Sequence, residues 1–168
     1  IEEAIANLNR DIIVIDIDDQ LADGGKLLGE KSYEDFLLEG DPSFNGWPHN
    51  EWDAICLNYT SGTTGNPKGV VYHHRGAFLN SMGDIAVLGL NSKTVYLWTL
   101  PMFHCNGWCF TWAVTAMGGT HVCLRQIDTK QVFPMIRDLG VNLVCGAPIV
   151  LNMLVHAPDD HKVVFPQT

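Results

Sequence analysis

One stretch of this chain, Tyr59-Thr60-Ser61-Gly62-Thr63-Thr64-Gly65-Asn66-Pro67-Lys68-Gly69-Val70, gathers hydroxyls, glycines and a lysine between two apolar, strand-like segments. That composition suits the binding of a polyphosphate. The glycines let the main chain come close to a ligand, and successive N–H groups can converge on one anion. Thr60, Ser61, Thr63 and Thr64 each offer a hydroxyl donor, Lys68 a point charge, and Pro67 stiffens the approach. The loop is not of Walker A type, which needs four residues between its glycines, then Gly-Lys-Ser/Thr, then a helix. Here Lys68 precedes Gly69 and the strand-like Val70-Val71-Tyr72. A nucleophile elbow is also disfavoured, because Tyr59 stands where Gly-x-Ser-x-Gly needs a glycine before Ser61. From the residues alone, an ordinary Gly/Ser/Thr hairpin turn is the competing account.

A second constellation is Pro101-Met102-Phe103-His104-Cys105-Asn106-Gly107-Trp108. It follows a strand-like run and opens an apolar segment. In α/β sheets, ligands gather beyond the carboxyl ends of strands, which is where His104 would stand. A lone histidine more often satisfies a packing hydrogen bond, and an aromatic on an apolar helix is more often core, so both readings stay open for His104 and Trp108. His104, Cys105 and Cys109 make a poor metal set, since they lack the paired spacing of zinc sites.

The twelve-residue loop resembles, nearly residue for residue, the phosphate loop of adenylate-forming enzymes: acyl-CoA synthetases, luciferases and peptide-synthetase adenylation domains. The His104 region resembles that of fatty-acyl and related acyl-CoA synthetases. It lacks the Phe-Asp pair of adenylation domains and the His-His-Gly variant of luciferases. Cys145-Gly146-Ala147-Pro148 also resembles the family, without chemistry that can be assigned. The resemblance implies an AMP-forming ligase that adenylates a carboxylic acid with ATP and passes the acyl group to coenzyme A. It implies that Thr60, Ser61, Gly62, Thr63, Thr64, Gly65, Pro67 and Lys68 bind the ATP phosphates, and that Thr60 helps to hold Mg²⁺. His104, Asn106 and Trp108 would border the acyl pocket, Trp108 either packed as core or acting as a gate to the acyl tunnel. The context Met-Phe-His-Cys-Asn-Gly-Trp leans towards fatty or short thio-substituted acids over aromatic ones, and a homodimeric parent is compatible with the family.

The match runs from about Trp52 to His156 and extends to the first fifty residues only in general pattern. No Tyr-Gly-x-Thr-Glu segment, ribose-binding aspartate, hinge or C-terminal lysine is found. Residues 1–168 are therefore expected to be a single fragment of a large N-terminal domain, inactive alone. The alternatives are a non-catalytic truncated nucleotide-binding module and an adenylation domain that loads a carrier protein.

The elements that must position these residues alternate between strand and helix. Ile1, Ala4, Ile5 and Leu8 repeat at helical spacing, residues 11–16 read as a buried strand, and residues 32–38 as a short helix capped by Ser32. The turn-rich stretch 40–50 reads as a surface connection pinned by Trp47. Strands are expected at 54–59, 94–99, 121–124 and 141–145. Helices are expected around Phe78 to Ala86, over 106–117, along Val132 to Leu139 and over 148–155, where Pro148 is tolerated in the first turn. The pattern predicts an α/β class, a partial three-layer fold whose largely parallel sheet is flanked by helices.

Composition bounds the rest. With 46% hydrophobic residues the chain can build a core, yet no uninterrupted apolar run of about 18 residues predicts a membrane span. The net charge of −9 is carried by residues 1–53, leaving 54–168 slightly basic, and no basic patch suggests nucleic acid. Five cysteines, without a secretory pattern, predict reduced, mostly buried thiols and a cytoplasmic protein.

Overall fold

In the computed structural model, residues 1–8, 10–60 and 65–166 are described. They fall into two units, Ile1–Trp47 and Pro48–Thr168.

The first unit is built from short pieces. Helix α1 (Glu2–Ala6) is followed by strand β1 (Ile15–Asp16), which pairs in parallel with β2 (Lys31–Ser32), and by helix α2 (Tyr33–Leu38). Ser32 caps α2 as expected, its Oγ accepting from the Asp35 N–H at 3.1 Å. The strand expected over 11–16 shrinks to two residues because only those find a partner; Ile13 is 76% exposed. Trp47 is 78% exposed, so it packs against too little to pin the 40–50 connection, contrary to expectation.

The second unit carries the candidate site. Strands β3 (Ala54–Tyr59) and β4 (Gly69–His73) form an antiparallel hairpin. The chain runs from β4 directly into helix α3 (His74–Leu88). His73 caps that helix, its Nδ1 accepting from the Gly76 N–H at 2.9 Å. The helix stops at Gly89, whose φ of 65° few other residues adopt cheaply, and Leu90 then turns into the core.

Strand β5 (Val95–Trp98) is the centre of a three-stranded parallel sheet, flanked by β6 (Thr120–Cys123) and β7 (Leu143–Cys145). Helix α4 (Phe110–Ala116) connects β5 to β6, and α5 (Thr129–Asp138) connects β6 to β7. Helix α6 (Pro148–Val155) follows β7 with its proline in the first turn. Alternation along β5 divides the core. Tyr96 and Trp98 pack with Leu90, Phe110, Ala113 and Val114, while Leu97 packs with Val122, Val132 and Val141. Tyr96 stacks on Phe110 at 4.8 Å and meets Trp98 edge-on at 4.9 Å. Burial on both faces makes β5 an unbroken apolar run, as parallel strands covered by helices require. The expected α/β layering is therefore present, with the hairpin as an antiparallel departure from the parallel sheet.

The helix expected over 106–117 does not exist as such. Cys105, Asn106, Gly107, Trp108 and Cys109 have φ values of 49°, 46°, 59°, 57° and 66°, a left-handed turn before α4 begins at Phe110. Left-handed backbone costs non-glycine L-residues roughly 1–2 kcal/mol each. Packing holds it: a Cβ built on Gly107 would lie 2.5 Å from Cζ3 of Trp98.

Candidate active site

The hairpin register sets out the site. Cys56 lies opposite Tyr72, Asn58 opposite Val70 and Tyr59 opposite Gly69. Just past the strands, the Thr60 N–H donates to the Lys68 carbonyl at 3.0 Å, and the Lys68 N–H reaches Thr60 Oγ1 at 3.4 Å. Residues two apart in a strand share a face, and so do residues directly opposite across a pair. Thr60, Asn58 and Cys56 therefore share one face with Lys68, Val70 and Tyr72. Of the loop expected to bind phosphate, Ser61, Gly62, Thr63 and Thr64 lie outside the described residues. Thr60, Gly65, Pro67 and Lys68 are all exposed at the neck and far limb of that loop.

At the other end of the same face, the left-handed turn meets the hairpin. Cys105, Trp108 and Cys109 join Val71, Tyr72 and His73 of β4 and Gly76, Ala77 and Asn80 of α3 around a cavity of about 350 Å³. Burial pushes the Tyr72 phenol above its ordinary range, and the neighbouring Cys105 adds to that shift, so Tyr72 stays a neutral donor. Burial likewise pushes the Cys109 thiol up, against hydrogen bonds from Asn80 and Ser81, which leaves it a poor nucleophile. A largely apolar lining with a few neutral polar groups suits an aliphatic chain.

The three residues expected around an acyl pocket separate. Trp108 lines the cavity and is 59% exposed, so it is not core. His104 is exposed, and its carbonyl accepts from the Gly107 N–H at 3.0 Å, opening the turn. Asn106 points at the hairpin instead: its Oδ1 accepts from Asn58 Nδ2 at 2.6 Å and from the Cys56 thiol at 3.2 Å. Residues absent from the sequence expectation are thus Cys56, Asn58, Tyr72 and Asn80. For Cys56 and Asn58 a signal was present, polar side chains at alternate positions of β3; Tyr72 and Asn80 carried none, and the Asn106-Gly107 dipeptide marked only the turn they face.

The turn is backed by a chain of hydrogen bonds. Trp98 Nε1 donates to His121 Nδ1 at 2.9 Å, which fixes the other ring nitrogen as the protonated one facing Thr115 Oγ1, also at 2.9 Å. The Thr115 hydroxyl donates to the Thr111 carbonyl at 2.7 Å, and the Thr111 hydroxyl to the Asn106 carbonyl at 3.3 Å. Burial lowers the pKa of His121, consistent with the neutral ring this chain needs. The thiols are less buried than expected: Cys109 is buried, but Cys123 is exposed and Cys56, Cys105 and Cys145 are half-buried, because three of them sit on strand ends or turns. All five are free. Among the described residues no group of three or more His, Cys, Asp or Glu could hold a metal ion.

Known proteins share this architecture. A family model described as AMP-binding enzyme matches residues 2–166. An acetate–CoA ligase of Humulus lupulus is 52% identical over 138 residues, covering 81% of this chain and 24% of that protein. A peroxisomal acetate/butyrate–CoA ligase of Arabidopsis thaliana is 50% identical over 138 residues, covering 81% and 24%. A 2-methylpropanoate–CoA ligase of Humulus lupulus is 52% identical over 129 residues, covering 76% and 23%. The chain spans about a quarter of the length of these relatives. Among solved structures, the inhibitor-bound N-terminal domain of FACL13 from Mycobacterium tuberculosis superposes with a TM-score of 0.72 at 24% identity, covering 82% of this chain and 36% of that one. ATP-bound MatB from Rhodopseudomonas palustris superposes with a TM-score of 0.66 at 22% identity, covering 79% and 27%. These two likenesses speak to the fold.

Proposed function

The chain belongs to the AMP-binding enzyme family, and from that premise we propose that it forms part of an AMP-forming acyl-CoA synthetase. In that reaction a carboxylate oxygen attacks the α-phosphorus of ATP, the bond to pyrophosphate breaks, and an acyl-adenylate forms. The sulfur of coenzyme A then attacks the acyl carbonyl, loses its proton, and displaces AMP to give a thioester.

One observation carries this reading: a single hairpin face joins the Thr60–Lys68 neck to the apolar cavity beside Tyr72. Four residue steps lead from Cys56 to Thr60, about 13 Å at roughly 3.3 Å per step. A nucleotide held at the neck and an acid held at the cavity would meet along that face. Lys68 and the hydroxyls of Thr60, Ser61, Thr63 and Thr64 would stabilise charge on the leaving pyrophosphate, with the backbone of Gly62, Gly65 and Pro67 shaping the loop. Thr60 would offer Mg²⁺ one hard hydroxyl oxygen, and beside nucleotides this ion usually takes its other ligands from phosphate and water. When bound, Mg²⁺ would neutralise charge on the departing phosphates.

The cavity and the names of the relatives support a short aliphatic acid: acetate, butyrate or 2-methylpropanoate. Trp108 would be its wall, and His104 would border its mouth. Among the described residues no helix is long and apolar enough to cross a membrane; the cytoplasmic location proposed for the protein rests instead on its five free cysteines. Fractionation with peroxisomes, the compartment named for the Arabidopsis relative, would overturn that assignment.

The test is ATP–pyrophosphate exchange by the full-length protein across acids from acetate to palmitate. Exchange should peak at two to four carbons, and Lys68→Ala should lower it by about 10²-fold. Exchange with no acid, or an unaltered rate in the variant, would sink the reading.

A further inference from the structure

We propose that the Asn58–Asn106 side-chain pair is a positioning device that couples the acyl-side turn to the phosphate-side hairpin. This rests on the functional reading above, but its geometry stands apart from it. Asn106 is the residue of the left-handed turn that leaves the cavity and reaches β3, where its Oδ1 takes both the Asn58 amide and the Cys56 thiol. Asn58 lies two residues before Thr60 on the same face, so a shift of the turn is passed to the neck of the loop.

The turn is supported from behind, so that a shift at Asn106 is directed towards β3. Gly107 is wedged on the Trp98 ring, and Thr111 holds the Asn106 carbonyl. The Asn58–Asn106 bond therefore has a rigid support on one side and the loop-bearing strand on the other. A hydrogen-bonded chain lets one site bias another when it has two arrangements that both ligands favour unequally, here the Asn58–Asn106 bond made or broken. An acid entering beside Trp108 and Cys105 presses on neighbours of Asn106, and a nucleotide on Thr60 and Lys68 presses on neighbours of Asn58. Neither asparagine needs to touch a reacting atom.

The variants can be chosen to spare the backbone. Glycine accepts the φ of 46° at position 106, so Asn106→Gly removes the side chain without new strain. Asn106→Asp keeps the acceptor oxygen and also tolerates left-handed backbone. In ligand-free full-length protein, hydrogen exchange of the 54–60 segment should rise roughly fivefold in Asn106→Gly and in Asn58→Ala, and stay near wild type in Asn106→Asp. Affinity for α,β-methylene-ATP with Mg²⁺ should then be measured with and without saturating butyrate. The ratio of the two affinities should collapse towards one in both deletion variants and be retained in Asn106→Asp. The double variant should match the singles rather than multiply their effects.

Unchanged exchange in the 54–60 segment, an unchanged affinity ratio, or independent multiplication in the double variant would each overturn the coupling. Failure of the wild-type protein to bind the nucleotide analogue would instead overturn the functional reading. The exchange measurement would then decide by itself whether the pair anchors the hairpin.

Discussion

Gly107 and His121 act on the site without standing in it. A methyl group at position 107 would collide with Cζ3 and Cη2 of Trp98 at 2.5 and 2.7 Å, and the φ of 59° penalises any side chain as well. Trp98 is buried and held by His121, so it has nowhere to go. Gly107→Ala should therefore cost about 2–4 kcal/mol, read as a fall in Tm of the full-length protein. His121 gives a pH dependence of definite sign. Its folded pKa is lowered by burial, so the unfolded chain binds more protons between that value and the ordinary value of about 6.5. Its stabilising share is full above about pH 6.5 and is lost as pH falls through the folded pKa. Protonation would also place a second N–H against the Trp98 donor. His121→Gln keeps an acceptor and a donor, so its Tm should fall less than that of wild type between pH 7.5 and pH 5.

At the scale of elements, β5 bears the fold. Leu97 is fully buried among Val122, Val132 and Val141, and Leu97→Ala should cost about 3 kcal/mol by removing methylenes that the core cannot refill. Denaturant titration of the full-length protein would show it as a lower midpoint at unchanged slope. Much of this layer was legible in the chain. Residues 95–98, Val-Tyr-Leu-Trp, show no polar alternation, which marks a strand covered on both faces, and the strand-like run after Lys68 excludes a Walker-type loop. The strand ends were less legible, because hydrogen-bond partners rather than local propensity decide them, as at residues 11–16. The left-handed turn was missed for a different reason. Residues 106–117 carry helical spacing, but the left-handed backbone at 105–109 seats Gly107 against the Trp98 ring, a packing contact that spacing does not reveal. The Asn106-Gly107 pair was the one local sign of it. The split of roles between Trp108 and Asn106 was not legible either, because in reversed backbone the side chains leave on directions that right-handed spacing does not predict.

For the molecule as a whole, exposure is the telling quantity. Phe78, Val87, Phe103, Ile149 and Val155 are between 64% and 83% exposed, and where such apolar side chains lie together they mark surfaces that other protein can cover. The chain also spans about a quarter of its relatives' length. Purified residues 1–168 should bind a dye such as ANS severalfold more strongly than the full-length protein and should catalyse no pyrophosphate exchange. Weak dye binding together with turnover would show that this chain is self-sufficient.

The reversed turn also has an evolutionary reading. At positions 105, 106, 108 and 109 the backbone filters mutations by shape before any selection on chemistry acts. Drift towards glycine or asparagine relieves the conformation, whereas valine, isoleucine and threonine, crowded at Cβ, worsen it. A saturation library passed through several rounds of selection for folding alone should thus become rich in Gly and Asn and poor in branched residues across this window. Substrate preference could then change only along the few paths that keep the turn left-handed.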